Sequence, residues 1–155
     1  MTELEIINLR ISATWGPVGH MPDRFFAAPS LAHAAAMGVE PDLSFLPAGA
    51  YAEDAIDLCY VKDTGRAIAA LQLAERLNHR TYNVATGRAT TNGEIVAAIR
   101  RAVPDARIEL PTGRAASADY LDITRLTTDT GYRATWDLER ATADYIGWFR
   151  AGHER

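Results

Sequence analysis

Short extended runs alternate with helix-like stretches along the whole chain, and this alternation restricts the fold to the α/β class. Residues 4–12 predict a strand: Ile7, Leu9 and Ile11 fall on one side and Asn8, Arg10 and Ser12 on the other, a period of two. Gly16-Pro17 ends it as a turn. Residues 29–37 are alanine-rich and predict a helix that Gly38 stops. The following stretch, with Pro41, Pro47 and Gly49, reads as loop with room for one short strand. Residues 56–61 form a second extended run, after which Asp63 is expected to cap a helix lined by Ala67, Ile68, Leu71 and Ala74. A short strand at 81–85 turns at Gly87. Thr91-Asn92-Gly93-Glu94 then matches a capping box, in which hydroxyl and carboxylate satisfy orphan amides at a helix start. Ile95, Val96, Ile99 and Val103 supply that helix's buried stripe, Pro104 follows it, and residues 107–110 predict another strand. Thr124 is expected to cap a single-turn helix closing at Gly131, and Asp137 a last helix with Leu138, Ala141, Tyr145 and Phe149 facing inward.

The 155 residues, 48% hydrophobic and 23% charged, suit one domain with a real core, without repeats or linkers. A net charge of −4, with scattered arginines and Lys62 as the only lysine, argues against a nucleic-acid partner, which needs clustered positive charge. Cys59 is the single cysteine, so no internal disulfide forms and a cytoplasmic setting is expected. Within Leu58-Cys59-Tyr60-Val61 it reads as a small buried hydrophobe rather than a reactive thiol. No apolar stretch approaches a membrane span, and no basic leader precedes an apolar core, so no membrane association is expected.

Four landmarks occur in order. The first is Leu9-Arg10-Ile11-Ser12-Ala13-Thr14-Trp15-Gly16-Pro17, and the second Tyr60-Val61-Lys62-Asp63. The third is Tyr82-Asn83-Val84-Ala85-Thr86-Gly87 with Thr91 and Glu94. The fourth runs through Asp122-Ile123-Thr124-Arg125-Leu126, Gly131-Tyr132 and Trp148-Phe149-Arg150. Together they resemble the NAD-dependent epimerase/dehydratase branch of the extended short-chain dehydrogenase/reductase superfamily, over nearly the whole chain. Each landmark alone also reads as ordinary caps and turns, so the resemblance rests mainly on residues that shape the fold.

In that family a Gly-x-x-Gly-x-x-Gly loop receives the dinucleotide pyrophosphate, and a Tyr-x-x-x-Lys pair performs acid–base chemistry. Here Gly16 and Gly19 have the first spacing, but Pro22 breaks the series and the turn follows the wrong strand. Leu58, not tyrosine, stands four residues before Lys62. The resemblance therefore implies an incomplete Rossmann-type α/β fold: the last strands of the parallel sheet plus the small C-terminal substrate-binding lobe. The resemblance implies that residues 1–155 are a single substrate-side segment, with the N-terminal dinucleotide-binding part expected to be absent. It implies no catalytic residue in this chain, NAD or NADP only together with the missing part, and no cofactor for the isolated chain. The first two strands are expected to be the last two of a seven-stranded sheet, leaving the edge of 4–12 bare and the chain marginally stable and poorly soluble.

By position, Ser12 resembles the family's cofactor-side residue, with Trp15, Gly16 and Pro17 shaping the turn near the nicotinamide. Trp15 replaces a usual tyrosine and reads equally as a packed aromatic, and Ala13 replaces a substrate-binding asparagine. His20, Arg114 and Tyr120 are the candidate substrate contacts, although a loop arginine is commonly just solvated. Ile56, before the matching Asp57, stands where nucleotide-sugar enzymes place an arginine that pairs with the pyrophosphate. His33 and His79 lack carboxylates at ligand spacing, so no metal site is expected. The expectation is the substrate-binding part of an NAD(P)-dependent epimerase, dehydratase or reductase acting on a sugar or nucleotide sugar, incompetent alone. The alternative is a truncated relic, or a binding module or subunit that pairs with a separate Rossmann-type chain.

Overall fold

A computed structural model describes residues 5–19, 25–46, 48–113 and 119–153. The opening extended run is two strands, β1 (Asn8–Ile11) and β2 (Ala13–Trp15), which separate at Ser12. Helix α1 (Ala28–Met37) carries Pro29 in its first turn, where a missing N–H costs nothing, and ends at Gly38 with φ 69°. Strands β3 (Ala55–Ile56) and β4 (Leu58–Tyr60) lead into α2 (Val61–Leu73). Then come β5 (Thr81–Val84), β6 (Thr90–Thr91), α3 (Asn92–Ala102), α4 (Thr124–Thr130) and α5 (Leu138–Arg150).

β1 pairs with β5 in parallel, Asn8 opposite Thr81 and Ile11 opposite Val84. β2 pairs with β4 in parallel, Trp15 opposite Tyr60. The third pair, β3 with β6, is antiparallel. This is the α/β architecture of the C-terminal part of a Rossmann-like fold. The first two extended runs are not neighbours throughout, however. β1 takes its partner from residues 81–84, and only its continuation β2 lies beside 58–60, because α2 crosses over between the parallel β4 and β5.

Several local expectations hold. The capping box is formed in full: Glu94 N donates to Thr91 Oγ1 at 3.1 Å and Thr91 N to Glu94 Oε2 at 2.7 Å. Asp137 caps α5, accepting from Arg140 N at 2.8 Å. Others are corrected. Asp63 is not the cap of α2, whose N-cap is Tyr60. Its buried carboxylate instead accepts from Thr135 N at 3.0 Å and Trp136 N at 2.9 Å, tying the helix start to a distant loop. Residues 107–110 form no strand; Ile108 is buried, and its carbonyl accepts from Arg100 Nη2 at 2.8 Å instead of joining a ladder. Thr124 opens α4 as its first residue, after Ile123 as N-cap, and the helix runs seven residues to Gly131.

Two apolar clusters result. The larger joins α1, α3 and α5 to β2 and β4 through Trp15, Leu31, Ile95, Ile99, Tyr145 and Phe149. The smaller holds Ala67, Leu71, Tyr82, Val84, Leu126 and Tyr132 between the β1–β5 pair, α2 and α4.

Candidate functional site

The turn after β2 lies at the carboxyl ends of parallel strands, where open α/β sheets place their ligands. Trp15 is packed edge-on against Tyr60 and Tyr145, with ring centroids 5.8 Å away in both cases. Gly16 has φ 126°, and a Cβ there would lie 2.7 Å from a Tyr60 ring carbon and 2.8 Å from Val61 Cγ1. Glycine is thus required twice, by backbone and by space. Pro17 is buried behind it, and Val18 then emerges 78% exposed at φ 67°. A β-branched residue in that region stores about 1–3 kcal/mol of strain. The buried turn therefore ends in a strained, solvent-facing tip.

Ser12 lies where β1 gives way to β2. Its amide donates to Val84 O at 3.1 Å, and its carbonyl accepts from Thr14 Oγ1 at 3.3 Å. Its Oγ is buried and finds no hydrogen-bond partner among the described residues. A buried hydroxyl left unpaired costs about 1–3 kcal/mol, so such an atom calls for a partner from elsewhere.

Beside Trp15, a cavity of about 210 Å³ is lined by Tyr60, Thr86, Arg88 and Trp136, among others. Tyr60 donates its hydroxyl to Asp144 Oδ2, and Lys62 Nζ lies 2.8 Å from both oxygens of the same carboxylate. Lys62 and Arg140 both lie over the Trp136 ring, 4.5 and 3.8 Å from its centroid. Burial, then the Asp144 hydrogen bond, pushes the Tyr60 phenol far above its ordinary range. Burial pulls Asp144 upward too, but hydrogen bonds from Lys62 and Tyr60 outweigh it and leave that carboxyl low. Tyr60 therefore holds its proton at neutral pH, in its hydrogen bond to Asp144. Burial likewise raises Cys59 to about 11, and the thiol is fully enclosed, as a small hydrophobe would be.

Asp57 organises the adjoining loops. Its buried carboxylate accepts from Thr86 N at 2.9 Å, Thr86 Oγ1 at 2.7 Å, Gly87 N at 3.3 Å and Leu121 N at 3.1 Å. Tyr120, next to that last contact, is 60% exposed and does not line the cavity beside Trp15. The structure thus keeps Trp15, Gly16 and Pro17 at the turn after β2, puts Ser12 at the β1–β2 break before it and leaves Tyr120 on a separate surface loop, while His20 and Arg114 lie outside the described residues. Trp136 and Asp144 were not singled out from the sequence; they meet Tyr60 only through contacts spanning about 80 residues. Among the described residues no three His, Cys, Asp or Glu side chains gather as metal ligands, and no helix is long and apolar enough to cross a membrane.

The parallel strand pairs, the crossover helix and the helical lobe define part of a Rossmann-like α/β fold. No protein-family model matches the sequence, and no curated protein does. Solved structures do. L-threonine 3-dehydrogenase from Trypanosoma brucei superposes with TM-score 0.78 at 17% identity, over 96% of this chain and 47% of that one. UDP-glucuronic acid 4-epimerase from Bacillus cereus, solved with UDP-glucuronic acid and NAD, gives 0.74 at 15%, over 97% and 46%. dTDP-glucose 4,6-dehydratase from Bacillus anthracis, solved with NAD, gives 0.71 at 19%, over 96% and 45%. The chain thus spans somewhat less than half the length of the enzymes it matches, and at these identities the likeness is one of fold.

Proposed function

We propose that this chain is the substrate-side part of an NAD(P)-dependent enzyme that epimerises, dehydrates or reduces a sugar-like substrate, with dinucleotide capture and proton transfer performed by residues outside it. The observation that carries this reading is the superposition of nearly all of the chain on less than half of a sugar-nucleotide epimerase and a sugar-nucleotide dehydratase. The residues present do not fit a pyrophosphate cradle: Pro17 offers no amide, and Gly16 is closed in by Tyr60 and Val61. What they offer is one wall of a pocket. The buried Ser12 Oγ, without a partner among the described residues, is the proposed cofactor-side contact, Trp15 packs beside the small cavity, and Asp57 holds the 86–87 and 121 loops in place. His20, Arg114 and Tyr120 are proposed to meet the substrate. Ile56, unable to pair with a diphosphate, favours a sugar or polyol over a nucleotide sugar. The buried lone Cys59 supports a reducing, cytoplasmic setting.

The test is a titration of the purified chain with NADH, glucose and UDP-glucose, followed by tryptophan fluorescence and ligand-observed NMR. Millimolar sugar binding without saturable NADH binding is expected. Micromolar NADH binding, or no sugar signal at any accessible concentration, would contradict the reading.

A further inference from the structure

Helices α1 and α5 both end at a cavity of about 650 Å³, within the size range of pockets that take small organic molecules. Its body is apolar and aromatic. Met37 and Val39, 46% and 55% exposed, form one lip, and the buried Phe149 lies at its base. The His33 ring stands edge-on to Phe149 with centroids 5.1 Å apart. The His153 ring is stacked on Trp148 at 4.0 Å, so both imidazoles that line the cavity are held by an aromatic neighbour. The cavity shares no lining residue with the one beside Trp15, and the proposed function makes no use of it.

Its charge is of one sign. Glu40 and Asp42 line it, and no lysine or arginine does among the described residues. Arg150, in the last turn of α5, lines the neighbouring cavity instead. Glu40 has no hydrogen-bond partner among the described residues, and neither carboxylate takes part in an ion pair there. Ser44 donates to Asp42 Oδ1 from its amide at 3.0 Å and its hydroxyl at 2.7 Å, which holds that carboxyl below its ordinary value and so ionised. Two helix C-termini add to this, α1 through Ala34 and Met37 and α5 through Phe149 and Gly152, each end carrying about half a negative charge. Aromatic faces attract cations as well. We infer that this cavity binds an organic cation, its ammonium group at Glu40 and Asp42 and its apolar body against Met37, Val39 and Phe149. A phosphate or carboxylate ligand would meet like charge on every side. A bare metal ion would find no set of three ligands among the described residues. The site is read independently of the proposed function and stands if that reading fails.

The experiment titrates the whole chain by NMR at about pH 8, where histidine is ordinarily neutral. Three probes share one phenylbutyl body and differ in the group at its end: 4-phenylbutylammonium, 4-phenylbutanol and 5-phenylpentanoate. The ammonium probe should bind with a Kd of about 0.1–1 mM and shift the amides of His33, Met37, Gly152 and His153. The alcohol should bind about 5-fold more weakly, and the carboxylate should cause no shift at those amides. Glu40→Gln and Asp42→Asn should each weaken the ammonium probe about 2- to 5-fold, and about 10-fold together, while leaving the alcohol unchanged. Both positions are exposed, and a thermal melt checks that each variant stays folded. Should a variant unfold, the three-probe series on the unaltered chain still decides. No shift with the ammonium probe, equal or tighter binding of the alcohol or carboxylate, shifts centred elsewhere, or folded variants that bind as before would overturn the inference. So would shifts of the same amides with protein concentration alone and a dimer mass by light scattering, which would give the cavity to a second copy.

Discussion

In the helical lobe, Leu31, Ile99 and Phe149 are at most 1% exposed, enclosed by α1, α3 and α5. In the strand half, Leu9 is only half-buried and Ile11 is 49% exposed, although both stand on the apolar side of a regular strand. Among the described residues the lobe's cluster counts seventeen buried members and the strand half's six. The lobe is therefore a core closed by its own helices. The strand half is a parallel pair packed with α2 and α4, in which β1 has one strand partner among the described residues. Hydrophobic patterning was equally good in both regions; what differs is how many elements pack over each among the described residues.

The largest expected effect lies in the lobe. Phe149→Ala should destabilise the protein by about 3–5 kcal/mol, because its surroundings cannot collapse into the space, whereas Leu9→Ala should cost under about 1 kcal/mol. Urea unfolding measures both, and similar losses would break the comparison. Gly16→Ala comes next, at about 2–3 kcal/mol, since the new methyl meets Tyr60 and Val61 on an already unfavourable backbone. Asp63→Asn tests the tie between the two regions. It weakens the charge-assisted bonds to Thr135 and Trp136 and should cost about 1.5–3 kcal/mol, with the Trp136 fluorescence shifting as its loop loosens.

The smallest effect is on pH. Hydrogen bonds from the Tyr82 hydroxyl and from Asn78 lower Asp129 from an ordinary 3.8 to about 2. A depressed carboxyl contributes stability that is complete above its unfolded value and is lost as pH falls through the folded one. The α4–β5 contact should therefore be intact above pH 4 and weaken toward pH 2. Asp129→Asn should flatten that small acid dependence in thermal melts, and an unchanged profile would remove Asp129 from the account.

Much of the architecture was legible from local chemistry. The Thr91–Glu94 capping box, the Asp137 cap and the Gly38 stop each depend on neighbours within a few residues, which a sequence displays directly. Residues 107–110 look like a strand for the same local reason, and fail because no partner strand is available and Arg100 takes the Ile108 carbonyl. Asp63 reads as a cap because its type and place fit one, while the amides it serves lie 72 and 73 residues away. The site divides likewise. The Trp15-Gly16-Pro17 turn was visible as a motif. The pairing of Asp144 with Tyr60 and Lys62 was not, since an aspartate on an amphipathic helix carries no mark of the residue it will meet.

Native-state hydrogen exchange in graded denaturant measures the difference between the two regions most directly. Amides of α3 and α5 should open only with global unfolding, while those of β1 and β5 should open at a distinctly lower free energy. A single opening free energy shared by Ile99, Ile146, Arg10 and Val84 would contradict the division into a closed lobe and a more exposed strand half.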